Sequence, residues 1–237
     1  MDISAERTNQ FSREGFLIVP DVLDEQRIAK TLALLDGLDH SATGVMASKD
    51  LFAVRDVVGL VPELLKLIWS SELQELVNAH CGPHAFMTKS IYFDKPASSN
   101  WFVGYHQDIS ISVARRIEMN GFASWTNKHG VIGVIPPVEY LERTLTVRLH
   151  LDKTDGTNGA LRVIPGSHRD GIRRDLLPTE HEVICEVPSG AAMLMRPLLF
   201  HASRRSSSNQ LRRVLHLEFN DLELPAPMCW AERRELL

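Results

Sequence analysis

The feature that most constrains this chain is a change of texture at residue 84. From there to residue 219 the sequence breaks into short runs rich in β-branched and apolar residues, at 90–94, 101–113, 144–151, 160–164, 182–187, 191–195 and 212–219. Each run is bounded by Gly, Pro, Asn or Asp, residues that bend the backbone or block a ladder, so each reads as a strand. No helical periods alternate with them. That argues against a parallel α/β sheet and predicts a mainly β fold, an antiparallel sandwich or jelly roll.

Residues 1–82 read differently, as a mostly helical support layer. The stretch 15–20 looks like a short strand stopped by Pro20, and Asp24 opens a helical pattern that puts Ile28, Leu32 and Leu35 on one face. A second helical region spans 62–81, with Pro62 in its first turn, Ser71 and Gln74 as a capping box, and Gly82-Pro83 as its stop. Two segments, 114–143 and 165–181, look irregular and long enough to be lids over a site. The first carries Trp125, which either covers a substrate or anchors the loop to the barrel. All-β barrels of this size often form one unit, so a single domain over residues 1–237 is expected, with the jelly-roll core at 84–219.

Composition narrows the partners. A net charge of −4 and a pI near 6.2 give no global attraction to nucleic acid or to an anionic membrane. Three widely spaced cysteines make neither a disulfide framework nor a Cys-rich zinc site. No secretory signal is visible in the first residues, and no apolar run approaches the ~20 residues of a spanning helix. A cytoplasmic protein acting on a small molecule is expected, its oligomeric state open.

The residues that carry chemistry centre on Tyr105-His106-Gln107-Asp108. Side chains alternate along an extended strand, so His106 and Asp108 fall on one side of it. Two readings are open: a pair of metal ligands, or a satisfied histidine beside a turn-capping aspartate. A second histidine from a distant strand, such as His201, completes a set of two imidazoles and one carboxylate. That set suits ferrous iron with open positions for oxygen and a co-substrate. On the run at 144–151, Arg148 and His150 share one face and Val147, Leu149 and Leu151 the other. Arg148 therefore either holds an acidic group of a bound molecule or pairs with a buried carboxylate. His40, His80, His84, His129, His181 and His216 carry no such argument and read as surface or packing residues.

Three segments in this order, Tyr105 to Asp108, Asn158-Gly159-Ala160-Leu161-Arg162-Val163-Ile164-Pro165-Gly166-Ser167-His168, and the run from His201 through Ser203 to Arg212, resemble the phytanoyl-CoA dioxygenase family. The resemblance extends from about residue 11 to about residue 219. It is closest to uncharacterised bacterial members that share Arg148-Leu149-His150-Leu151-Asp152 ahead of the Asn-Gly turn. It implies a double-stranded β-helix with an N-terminal helical layer, dependence on Fe(II), and 2-oxoglutarate and O2 as co-substrates.

The resemblance places the metal on His106, Asp108 and His201, and the 2-oxoglutarate carboxylate on Arg212 and Ser203, with Gln107 as a further contact. An arginine fork engages both oxygens of a carboxylate, which a lysine does less well. Arg148 and Trp125 fall on the substrate or co-substrate side. With Asp108 present, no ligand position is vacated for a halide, as it is in related halogenases, so hydroxylation is the expected outcome, with desaturation or ring formation as variants. Two other classes stay open on the sequence: a catalytically silent jelly-roll binding protein, and a cupin-like metal enzyme that does not use 2-oxoglutarate.

Overall fold

The computed structural model describes residues 3–38, 45–47, 52–95, 102–128, 130–175 and 178–236; His40 and His129 lie outside them. The chain opens with α1 (Ile3–Glu14), β1 (Phe16–Val19) and α2 (Glu25–Asp36), followed by β2 (Val45–Ala47), β3 (Phe52–Arg55) and the helices α3 (Val57–Leu60), α4 (Glu63–Ile68) and α5 (Ser71–Cys81). The strand-rich part begins with β4 (Phe86–Lys95), β5 (Val103–His106), β6 (Ile111–Val113), β7 (Ala123–Lys128) and β8 (Val131–Ile135). It continues through α6 (Val138–Arg143), β9 (Leu145–His150), β10 (Leu161–Val163), β11 (Val183–Cys185), β12 (Ala192–Met195), β13 (His201–Ser203) and β14 (Arg212–Asn220).

The strands form a seven-stranded antiparallel sheet in the order β1-β12-β9-β14-β4-β3-β2, a four-stranded sheet β11-β10-β13-β5 and a three-stranded sheet β6-β8-β7. The expected jelly roll is present. Period-two alternation explains how the large sheet serves two cores at once. On β9 and β14, Leu145, Val147, Leu149, Leu215, Leu217 and Phe219 point toward the helices and pack with Leu73 and Val77 of α5. The alternate residues, among them Arg148, Arg212, His216 and Glu218, line an interior cavity facing the four-stranded sheet. Beside that cavity the interior is apolar, where Leu161 and Val163 of β10 meet Met193 and Met195 of β12.

Local signals set the element ends. Asp24 caps α2 by accepting from the Arg27 amide (2.7 Å), as expected. At α5 the cap is Ser70, which accepts from the Leu73 amide (3.1 Å), one residue earlier than the Ser71 capping box predicted. Gly15, at φ +79°, ends α1 and lies against the His168 ring; a Cβ there would fall 2.3 Å from His168 Nδ1. Only glycine suits that joint between the helical layer and the 165–181 segment.

Three segments differ from the sequence reading. The segment 114–143 is not an irregular loop: it holds β7, β8 and α6. Its strands escaped notice because β7 is exposed on both faces over most of its length and shows no alternation. The helical layer also contains β2 and β3, and β3 extends the large sheet by pairing with β4. Finally, 101–113 is two strands in different sheets. The ladder ends at His106, and the Asp108 amide donates to the Pro197 carbonyl (2.9 Å).

The segment after β14 crosses the end of the barrel, bridging Val113 to Trp230 and Met87 to Arg234. It carries Glu232, whose carboxylate accepts from Ser90 Oγ at 2.7 Å in a buried setting. Burial pushes the Glu232 carboxyl up to about 8, against the Ser90 hydrogen bond and with help from the Asp56 charge. A carboxyl raised above its unfolded value gains a proton on folding, so its stabilising contribution is lost as pH rises from about 4.5 through about 8. Raising the pH from 6 to 8 is expected to destabilise the protein relative to its Glu232→Gln variant by roughly 1–3 kcal/mol. Urea midpoints of both proteins at the two pH values measure this; parallel behaviour of the pair would refute it.

Candidate metal centre

The antiparallel pairing of β5 with β13 sets His106 directly opposite His201. Their rings lie 4.3 Å apart between centroids. Asp108, two residues past His106 and outside the strand, turns its carboxylate between them: Oδ1 is 3.6 Å from His106 Nε2, and Oδ2 is 3.6 Å from His201 Nε2. One ligand atom from each residue lies within 4.8 Å of the others, and among the described residues no other group of three makes such a cluster.

The two rings are held in the tautomer a metal needs. His106 Nδ1 donates to the Gly104 carbonyl and His201 Nδ1 to the Leu199 carbonyl, both at 2.9 Å. A carbonyl only accepts, so Nδ1 carries the proton and each Nε2 presents its lone pair to the centre. Burial, opposed by Asp108, depresses His201 to about 4, which keeps it neutral. Burial pushes Asp108 the other way, but at the low pH where it titrates the protonated His201 and His216 and the Lys89 ammonium outweigh burial and bring the carboxyl down to about 2. Neutral imidazoles and an ionised carboxylate are the donor states that a divalent cation requires. This donor set fits iron(II).

Along the same cavity wall, Arg212 projects inward from the central strand β14, buried to 6% exposure. Its Nη1 donates to the Gly159 carbonyl at 2.5 Å, while its Nε has no acceptor among the described residues. Burial and the nearby Arg148 depress the guanidinium to about 9. Ser203 shares a strand face with His201 and lines the same space. A buried guanidinium without a carboxylate partner is unfavourable unless a ligand anion completes it. These residues fit a dicarboxylate co-substrate.

The cavity has a volume of about 460 Å³, within the range of small-molecule sites. The segment 114–143 contributes Thr126, Lys128, Val131 and Gly133 to it. No described residue of 165–181 lines it.

Two residues of the sequence reading are held by other protein groups. Gln107 lies at the cavity wall, and its Nε2 donates to the Gly171 (2.9 Å) and Leu198 (2.7 Å) carbonyls while its Oε1 accepts from the Arg173 amide (2.8 Å). Both amide hydrogens are committed, so the side chain clips the 165–181 segment to the barrel. Trp125 is not among the residues that line the cavity; it packs against the apolar cluster that holds Ile111, Val113 and Phe122, with the Arg116 guanidinium 5.5 Å from its ring centroid.

Arg148 does reach the cavity and, among the described residues, has no carboxylate within ion-pair distance. Its Nη1 meets His216 Nδ1 at 3.0 Å. His216, read as a packing residue, is thus part of the site. It belongs to a buried chain in which His216 Nε2 and Lys89 Nζ both reach Glu218 Oε1, at 3.1 and 2.7 Å. The signal was available: counting by twos along β14 from Arg212 arrives at His216 and Glu218.

A family model described as phytanoyl-CoA dioxygenase matches residues 11–214. No curated protein matches the chain. Among solved structures, AviO1 from Streptomyces viridochromogenes Tue57 is 21% identical, with 94% of this chain and 96% of that one covered at a TM-score of 0.65. EctD from S. alaskensis is 20% identical, with 95% and 80% covered at 0.72. HygX from Streptomyces hygroscopicus, solved with nickel and 2-oxoglutarate bound, is 16% identical, with 91% and 86% covered at 0.66. At these identities the likeness to the three structures establishes a shared fold.

Proposed function

The chain belongs to the phytanoyl-CoA dioxygenase family of iron- and 2-oxoglutarate-dependent oxygenases, and from that premise we propose that it hydroxylates an aliphatic carbon of a small organic molecule while 2-oxoglutarate is converted to succinate and carbon dioxide. One observation carries the reading: the His106, Asp108 and His201 cluster opens onto the same cavity as Arg212, which has no carboxylate partner among the described residues. HygX has been solved with nickel and 2-oxoglutarate, and EctD with 2-oxoglutarate and 5-hydroxyectoine.

His106, Asp108 and His201 would hold the iron in this reading. Bound there, iron(II) and 2-oxoglutarate supply the oxidising chemistry for C–H hydroxylation. The chain's own residues position and protect. Arg212 and Ser203 take the distal carboxylate of the co-substrate, the guanidinium with two donors and the serine with a hydroxyl. The Gly104 and Leu199 carbonyls keep both imidazoles from rotating. The phenyl and aliphatic walls of Phe93, Ile91 and Ile109 restrict water and aim the substrate.

Anaerobic addition of iron(II) and then 2-oxoglutarate is expected to produce a weak visible charge-transfer band, which signals chelation of the 2-oxo acid by the metal. Admitting oxygen then releases succinate. A protein that binds iron but gives neither band nor succinate above background has another chemistry, and one that binds neither iron nor 2-oxoglutarate only retains the fold.

A further inference from the structure

The cavity holds more positive charge than the reaction components use. Five cationic side chains line it, Arg55, Lys89, Lys128, Arg148 and Arg212, against two carboxylates, Asp108 and Glu218. Iron(II) and a 2-oxoglutarate dianion cancel each other, so the loaded cavity keeps an excess of three positive charges. Lys89 is neutralised by Glu218 at 2.7 Å, and Lys128 is exposed to solvent. The uncompensated charge is concentrated on Arg148 and Arg55.

Arg148 is built as a ligand site and differs from a structural ion pair in its partners. It is 8% exposed, and its one hydrogen bond among the described residues is from Nη1 to His216 Nδ1 at 3.0 Å. A guanidinium only donates, so His216 Nδ1 is the acceptor and its Nε2 carries the proton given to Glu218. The chain Arg148, His216, Glu218, Lys89 therefore grips one corner of the guanidinium through a neutral ring and gives it no direct carboxylate partner, while Asp108 acts on its charge from beyond ion-pair distance. Nε is buried without any partner. The Phe93 ring, 6.0 Å from the guanidinium carbon, supports the plane from the side.

The register offsets the backbone position of this group from that of the co-substrate arginine, although the two guanidinium charges still act on one another. Arg148 is opposite His216, four residues along β14 from Arg212, a displacement of about 13 Å between backbone positions. In the other direction His216 is opposite Ile91, and Ile91 is opposite Arg55, on the wall nearer the adjoining recess. Arg55 makes no ion pair or hydrogen bond among the described residues.

We infer that the substrate is a small acid whose oxyanion group, a carboxylate or a phosphate, is held by Arg148, with Arg55 assisting from the mouth of the cavity. This deepens the oxygenase reading and rests on it. An Arg fork matches both oxyanions, and the acid would anchor one end of the substrate while its carbon chain lies toward the metal.

Isothermal titration of the anaerobic iron(II) and 2-oxoglutarate complex tests it, with inorganic phosphate and acetate as probes and trimethyl phosphate and acetamide as neutral controls. At least one anion should bind with a millimolar dissociation constant, undiminished as 2-oxoglutarate is raised, and the controls should not bind. Phosphate alone would identify a phosphate ester, acetate alone a carboxylic acid. Arg148→Gln should weaken the anion at least tenfold and Arg55→Gln about threefold, both variants keeping the visible 2-oxoglutarate band. Absence of anion binding at 50 mM, equal binding of the neutral controls, or loss of the 2-oxoglutarate band in Arg148→Gln would overturn the inference. The last result would assign Arg148 to the co-substrate. Should the wild-type protein show no band at all, the oxygenase reading fails separately, and titration of the metal-free protein and its variants still decides the anion site.

Discussion

Replacing His201 with alanine is expected to remove iron binding and lower turnover by on the order of 1000-fold or more, while the protein stays folded. Changing a residue that merely orients a metal ligand already costs about 10–100-fold in affinity or activity, and His201 would be a ligand itself. The stability cost is smaller. The neutral ring makes one hydrogen bond, to the Leu199 carbonyl, and it faces the polar cavity instead of the packed apolar interior. Loss of that bond and of the ring's packing amounts to about 1–3 kcal/mol. The predicted pattern is therefore a metal-free protein with a modestly lowered melting temperature. Iron content after anaerobic reconstitution and desalting, read beside a thermal melt, measures both. A folded variant that keeps one iron per chain would remove His201 from the ligand set.

His201 and His106 were legible because each sits in a short motif, and their meeting was legible only through the family likeness. They lie far apart in sequence, and only the pairing of β5 with β13 makes them neighbours. The seven-stranded sheet was legible wherever one face is apolar: β9 and β14 announce themselves through Val147, Leu149, Leu215 and Leu217. Where both faces are wet the signal vanishes, as in β7. Gly133 in β8 reads as a strand breaker, yet a Cβ there would lie 2.7 Å from Thr126 Oγ1, so the glycine allows β7 and β8 to pair closely.

Lys89 illustrates a subtler loss. The ladder between β4 and β14 shifts register at Glu218 and Phe219, leaving Thr88 as the extra residue of a bulge. The bulge reverses the alternation, so Met87 reaches the helix-side core while Lys89 faces the cavity and meets Glu218. Nothing in the local residue pattern marks that reversal. The chain of groups ending at Arg148 depends on it. Gln107 shows the converse: strand geometry sends its side chain to the face opposite His106, and the hydrogen bonds to Gly171, Leu198 and Arg173 follow that geometry.

Arg212→Gln separates binding from folding in opposite directions. The guanidinium is buried, depressed to about 9 by burial and by Arg148, and no carboxylate of the described residues lies within ion-pair distance. Without its ligand such a charge destabilises the folded state, because removal from water is not repaid by a counter-charge. Glutamine eliminates that penalty and loses the hydrogen bond to the Gly159 carbonyl, a term of about 1 kcal/mol. The metal-free variant should therefore melt within a few degrees of the parent, or above it. The affinity for 2-oxoglutarate should move the other way. Loss of a desolvated, charge-assisted contact to a carboxylate is worth about 2–5 kcal/mol, a 30- to several-thousand-fold rise in the dissociation constant. Iron binding, which uses His106, Asp108 and His201, should be retained. Titrating the visible band with 2-oxoglutarate in iron-loaded parent and variant, alongside thermal melts of the metal-free proteins, reads both effects. A structural arginine would reverse the pattern: a large fall in melting temperature with 2-oxoglutarate affinity little changed in whatever fraction remains folded.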